Sequence, residues 1–341
     1  GWKKIPDLDW SLYVKRTERD NILLRSLYVD DVSTAGEDHA CKVERTNLSN
    51  VLDIKPPAEQ AKLIGNTIKE IPCNEPYKRK YVRDGSAYAQ YALTEFKRLA
   101  NIKGPLKSRQ TPIAKRDFNA DDDEPGAYGS VARKLTGILG WLYNNRPEIG
   151  YAVSVLRTLQ SRWSKYADTV ITHLFGYIQN TLNHTPVHTV DSRDFPDGVT
   201  ITCYTDADWG GCTETAKSTR SYLLYLTGKH GTRVLLAHGA KKEAVASTST
   251  ACAEVSAIHF ATQTILLTTQ ALLQNIYGGN VQTTVFCDNN AAISAIKNGY
   301  SRPLAFMKKA HGISLSFLND VLESNKNTKL QYIETTLNPA D

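Results

Sequence analysis

Apolar and polar positions alternate over residues 199–204, with Val199, Ile201 and Cys203 set against Thr200, Thr202 and Tyr204. A period of two predicts a half-buried strand. The strand runs into Asp206 and Asp208, and Trp209 and Gly210 close a turn. Acids at a strand end are costly to bury unless a cation compensates them, which a divalent metal does best; a polar turn is the plainer reading. Residues 218–226 (STRSYLLYL) and 232–237 (TRVLLA) predict two further strands joined by the turn 227–231. Residues 247–277 predict one long helix, with Glu254, Ile258, Ile265 and Leu272 at roughly helical intervals. A buried strand over 283–288 ends in Asp288 and leads into a helix start at Asn289-Asn290-Ala291. Another helix follows over 306–322 and a fifth strand over 330–334. The class is mixed α/β, α+β in its strands-first order.

Upstream, two short apolar runs within 22–36 flank Asp30-Asp31, as in a hairpin presenting carboxylates at its turn. Residues 128–183 carry a helical pattern, with Leu135, Ile138, Leu139 and Leu142 on one face and a break and restart at 144–149 around Pro147. The acidic, turn-rich stretch 117–126 predicts a linker, and 184–198 a loop and second boundary.

At 341 residues the chain has room for two or three domains. No apolar run approaches the ~20 residues of a membrane span, and no signal-peptide pattern is present. The six cysteines (Cys41, Cys73, Cys203, Cys212, Cys252, Cys287) include no C-x-x-C pair, so neither a zinc site nor a disulfide framework is expected, and reduced intracellular thiols are the default. With Gly1 first and Met307 the single methionine, the chain is expected to be an internal piece of a longer product. The net charge of +6 is unevenly spread. Lys78, Arg79, Lys80, Arg83, Lys97 and Arg98 fall in a basic segment interleaved with Tyr77, Tyr81, Tyr88 and Tyr91. Such a stripe suits a nucleic-acid backbone, a solvated helix face being the alternative.

Tyr28-Val29-Asp30-Asp31 between strands resembles the palm hairpin of reverse transcriptases, and the flanks 10–16 and 35–36 resemble the copia-type retrotransposon polymerase. Residues 63–68 are similar to the hairpin that positions the primer end there, and 128–156 to the connection region of copia polyproteins. Tyr204–Gly211 around Asp206, the run 251–255 around Glu254, Cys287-Asp288-Asn289, and Asn338-Pro339-Ala340-Asp341 resemble the four acid motifs of the same family. The chain thus resembles a copia-type LTR retrotransposon Pol polyprotein over nearly its whole length: the C-terminal part of the reverse transcriptase followed by a ribonuclease H domain.

The resemblance implies a partial reverse-transcriptase palm and thumb over 1–117, a helical connection over 118–190, and a ribonuclease H-like domain over 195–341 with a five-stranded mixed sheet. Tyr28, Asp30 and Asp31 would be the polymerase motif, in a polymerase portion expected to be incomplete. Asp206, Glu254, Asp288 and Asp341 would hold two Mg²⁺ (or Mn²⁺) ions and hydrolyse the RNA strand of RNA–DNA hybrids, with Asp208 a turn acid beside them. The implied partners are the hybrid, other nucleic acid and a missing upstream Pol segment, with no membrane. The implied setting is intracellular, in a cytoplasmic virus-like particle or the nucleus. Cys252 replaces an acid of the family pattern and is expected on the outer side of its helix. Asp341, as a terminal residue, is expected to fray. A non-catalytic nucleic-acid-binding or scaffold protein that kept the fold is the competing reading.

Overall fold

The computed structural model describes all residues except 6–10, 19–20, 30, 55–61, 64–65, 115–123, 196–197 and 213–214. A small antiparallel sheet comes first, built from β1 (Lys3–Lys4), β2 (Leu12–Arg16), β3 (Ile22–Tyr28) and β4 (Asp31–Ala35) in that order. Tyr28 pairs with Asp31 across the predicted hairpin, and Val29 sits in the left-handed region at φ +53°, an uncommon position for a β-branched residue. Asp30 lies outside the described residues. Helix α1 (Asp38–Ser49) follows, then β5 (Lys62–Leu63), β6 (Asn66–Ile71), β7 (Lys78–Asp84) and α2 (Ser86–Leu99).

Helices α3 (Ala132–Tyr143), α4 (Gly150–Leu159) and α5 (Lys165–Asn180) take up the segment whose apolar positions recur at helical spacing. They bury Leu135, Leu139, Leu156, Ile171 and Phe175 against Leu93 and Phe96 of α2. The rings of Phe96 and Phe175 stack with centroids 4.2 Å apart. This core therefore runs from residue 89 to 178 and crosses the boundary expected near 117.

The loop expected over 184–198 contains a strand, β8 (Val187–Asp191). It pairs antiparallel with β7 on one edge and meets β11 (Arg233–Lys242) on the other through Arg233 and Thr189. With β9 (Val199–Asp208), β10 (Thr219–Gly228), β12 (Thr283–Cys287) and β13 (Thr328–Tyr332), the result is one mixed sheet in the order β13-β12-β9-β10-β11-β8-β7-β6-β5. The five expected strands form a mixed sheet, an antiparallel meander β9-β10-β11 with β12 parallel to β9 and β13 parallel to β12. Four upstream strands extend it to nine. Two acids of the 184–198 segment are tied to backbone amides: Asp194 accepts from His230 N and Thr232 N, and Asp191 Oδ1 accepts from Arg193 N. A polar, five-residue strand of this kind looks like a loop in sequence.

The long helix expected over 247–277 is continuous in path but not in winding: α6 (Thr250–Ala261), a π turn over Thr262–Leu266, then α7 (Leu267–Tyr277). Gly278 ends it at φ +74°. After α8 (Asn290–Lys297), the single helix expected over 306–322 is divided into α9 (Met307–Ala310) and α10 (Leu315–Leu322). Gly312 at φ +69° makes the break, and Ser314 caps α10 by accepting from Phe317 N. Helix α6 packs across β9 and β10, so Val255 and Ile258 close over Ile201, Cys203, Leu224 and Val285.

Candidate active site

Strand β9 points Thr205 inward, where its Oγ1 donates to Phe286 O at 3.0 Å, and the alternation puts Asp206 on the opposite side. Asp206 lies opposite Ser221 on β10 and is half-buried. Its carboxyl is pushed up to about 7, first by burial and then by Asp341, Asp288 and Asp208. Glu254 sits early in α6, whose N-cap Ser249 accepts from Cys252 N. Its Oε1 accepts from Ala207 N at 3.2 Å and its Oε2 faces Cys287 Sγ at 3.6 Å. Only 5% exposed, the Glu254 carboxyl is pushed up to about 8 by burial, with Asp206 and Asp288 adding to the rise. Asp288 follows the last residue of β12, and its Oδ2 accepts from Thr335 Oγ1 at 2.7 Å.

The terminal segment is tied down rather than frayed. Asn338, buried, donates from Nδ2 to Thr205 O at 3.0 Å and accepts Ala340 N on Oδ1 at 3.2 Å. Ser221 Oγ donates to Ala340 O at 2.7 Å, and Asp341 N donates to Asn338 O at 3.3 Å. Asp341 thus reaches the neighbourhood of Asp206 because its backbone is held from two strands. Asp208 is exposed and accepts from the Tyr151 hydroxyl of α4 at 3.2 Å, a contact that together with burial raises the phenol. Cys252 is fully buried with Sγ 3.8 Å from His311 Nε2, not on an outer face. Helix α6 is buried all round over 252–259 and has no solvent side there to offer it.

Among the described residues, none of the four acids is ion-paired to a lysine or arginine. Asp206 and Glu254, held above their usual range by burial and then by neighbouring acids, and unpaired with any side-chain cation among the described residues, make with Asp288 and Asp341 a donor set that fits a divalent ion. The tightest group that could ligate one ion is Glu254, Cys287 and Asp288, one ligand atom of each lying within 4.8 Å of the others. Sequence reasoning passed over Cys287 as one of six scattered thiols. Its place directly before Asp288 was the available signal. It also passed over Thr335 and Asn338, whose roles depend on contacts far along the chain.

The basic candidates lie elsewhere. Strands β10, β11 and β8 separate β7 from β9, about 19 Å at ordinary strand spacing. Lys78 is paired with Glu75, Arg98 grips Glu95 through two contacts of 2.8 Å, and Lys134 shares that acid. Arg83 is half-buried, which lowers its guanidinium. Arg79 is exposed beside Tyr81, while Lys80 and Lys97 are half-exposed. The stripe is therefore partly neutralised by local acids.

No protein-family model matches the chain. It is 24% identical over 343 aligned positions to the retrovirus-related Pol polyprotein from transposon TNT 1-94 of Nicotiana tabacum, covering 98% of this chain and 24% of that one. It is 25% identical over 228 positions to the polyprotein from transposon RE1 of Arabidopsis thaliana, covering 65% of this chain and 14% of the relative. The chain therefore spans a quarter or less of the length of these relatives. Among solved structures it is similar to LC11-RNase H1 in complex with an RNA/DNA hybrid, at 15% identity and a TM-score of 0.30, over 41% of this chain and 89% of that one. Three curated homologues of this chain, these two and the polyprotein from transposon RE2, are retrovirus-related Pol polyproteins of plant transposons, consistent with a copia-type Pol fragment.

Proposed function

We propose that residues 199–341 hydrolyse the RNA strand of RNA–DNA hybrids, with Asp206, Glu254, Asp288 and Asp341 holding Mg²⁺ or Mn²⁺. The observation that carries this reading is the gathering of Asp206 and Glu254 at one end of β9, both carboxyls raised first by burial and then by neighbouring acids, with Asp288 and Asp341 beside them and no side-chain ion pair to them among the described residues. The relationship to Pol polyproteins supports the same assignment at the level of a retroelement ribonuclease H-like domain. A bound divalent ion supplies a Lewis acid for water activation and for charge developing on the phosphate. The chain's part is to hold donors at fixed positions: the Ala207 amide sets Glu254, the Thr335 hydroxyl sets Asp288, and Asn338 sets the backbone ahead of Asp341.

Tyr28 and Asp31 of the polymerase motif belong to the separate first sheet, Asp30 lies outside the described residues, and DNA synthesis by this chain is no part of the proposal. Selectivity for RNA would come from 2′-hydroxyl contacts in the wide minor groove of the hybrid. The test is Mg²⁺-dependent cleavage of a labelled RNA strand in a hybrid, with RNA alone and duplex DNA as controls. Hybrid binding without cleavage in either Mg²⁺ or Mn²⁺ would move the assignment to a non-catalytic binding protein.

A further inference from the structure

The sulfur of Cys287 is out of place in a site for hard ions. It is fully buried at the end of β12, 3.6 Å from Glu254 Oε2. The Asn289 amide donates to it at 3.4 Å, so the sulfur is held from the backbone as well. Glu254, Cys287 and Asp288 each bring one ligand atom within 4.8 Å of the other two. Zinc holds thiolate sulfur at about 2.3 Å and carboxylate oxygen at about 2.0–2.2 Å, which sets tetrahedral donors about 3.5 Å apart. The Cys287–Glu254 separation already matches that span without backbone movement.

We propose that Glu254, Cys287 and Asp288 form a mixed thiolate–carboxylate site for a thiophilic divalent ion, Zn²⁺ or Cd²⁺, which displaces the hard ion from the two carboxylates. Sulfur is a poor ligand for Mg²⁺ and a good one for Zn²⁺ and Cd²⁺. On binding, a metal–sulfur bond forms and the thiol proton leaves to solvent, with no change of oxidation state. Three protein donors leave a fourth position open to water. The ion-binding site stands on the geometry alone; its inhibitory consequence rests on the nuclease reading above.

The experiment uses the full chain. Cys41, Cys73 and Cys212, the partly exposed thiols, are first alkylated with iodoacetamide under native conditions. Cd²⁺ is then titrated and the sulfur-to-cadmium charge-transfer absorbance recorded. The expected result is a saturable band at one equivalent, suppressed by excess Mg²⁺, with Cd²⁺ affinity falling about tenfold or more in Glu254→Gln. Cys287→Ser should abolish the band; if that variant does not fold, Mg²⁺ competition and Glu254→Gln decide. No band after alkylation, or a band indifferent to both Mg²⁺ and Glu254→Gln, overturns the site. Mg²⁺-dependent cleavage is measured in parallel and should stop when Zn²⁺ fills the site. Cleavage without a band overturns this inference and leaves the nuclease reading; a band without cleavage does the reverse.

Discussion

Asn338 Nδ2 donates to the carbonyl of Thr205 at 3.0 Å, linking the last turn of the chain to the residue directly before Asp206. The same side chain accepts Ala340 N, so one buried amide orders both the β9 end and the Asp341 backbone. Asn338→Ala leaves the Thr205 carbonyl without its partner, a loss of about 1–3 kcal/mol. The expected outcome is a lower melting temperature together with slower hybrid cleavage, whereas Leu337→Ala, exposed next door, changes neither. Equal effects from the two substitutions would dissolve the proposed link.

Asp206 and Asp208 are two residues apart on one strand and yet differ in kind. Asp206 is half-buried and pushed up to about 7 among other acids, whereas Asp208 is exposed and bonded to Tyr151. Asp206→Asn should lower the cleavage rate by several orders of magnitude, because no neighbour can supply its oxygens. Asp208→Asn should cost at most about tenfold, the scale of a supporting contact. Rates of the two variants on one hybrid substrate test this ranking, and a reversed order refutes it.

How far the residues themselves announced this arrangement varies along the chain. The strand carrying Asp206 was legible because alternation and acids near its end coincide within ten residues. Glu254 and Asp288 were legible from their helix and strand contexts together with the copia resemblance. Strand β8 was not, since its pairing partners Lys78–Val82 and Arg233 lie far away in sequence and its own composition is mostly polar. The division of 306–322 was hidden because Gly312 is read from pattern as a tolerated helical residue, while the chain uses its positive φ. The anchoring of Asp341 was invisible for the same reason as β8: Thr205 and Ser221 lie more than a hundred residues before it. Local periodicity reports on neighbours, and long-range hydrogen bonds do not enter it.

Metal linkage gives a prediction that needs no substrate. Asp206 and Glu254 repel their neighbours in the ion-free protein, and a ligand that binds only the folded state stabilises it by mass action. Millimolar Mn²⁺ should raise the melting temperature, and Asp206→Asn should shrink the increment. A melting curve unmoved by Mn²⁺ would speak against an assembled metal site.

The last prediction concerns pH and the junction strand. His188 on β8 is buried, and its Nδ1 accepts from Leu235 N of β11, which requires the neutral ring. Burial, with Arg83 adding to it, lowers the imidazole to about 4 from 6.5. Above pH 6.5 the ring is neutral in folded and unfolded chains alike, so it contributes no pH dependence there. Between 6.5 and about 4 the unfolded chain takes up a proton that the folded chain refuses, and stability falls as pH drops through that window. Nε2 of His188 has no partner among the described residues, so nothing within the fold rewards protonation. His188→Asn keeps an acceptor within reach of Leu235 N but cannot titrate. Its melting temperature should start lower near neutral pH, because the ring's packing is lost, and should then fall less steeply than the parent's towards pH 4. Parallel curves for parent and variant across that window would assign the acid sensitivity to other groups.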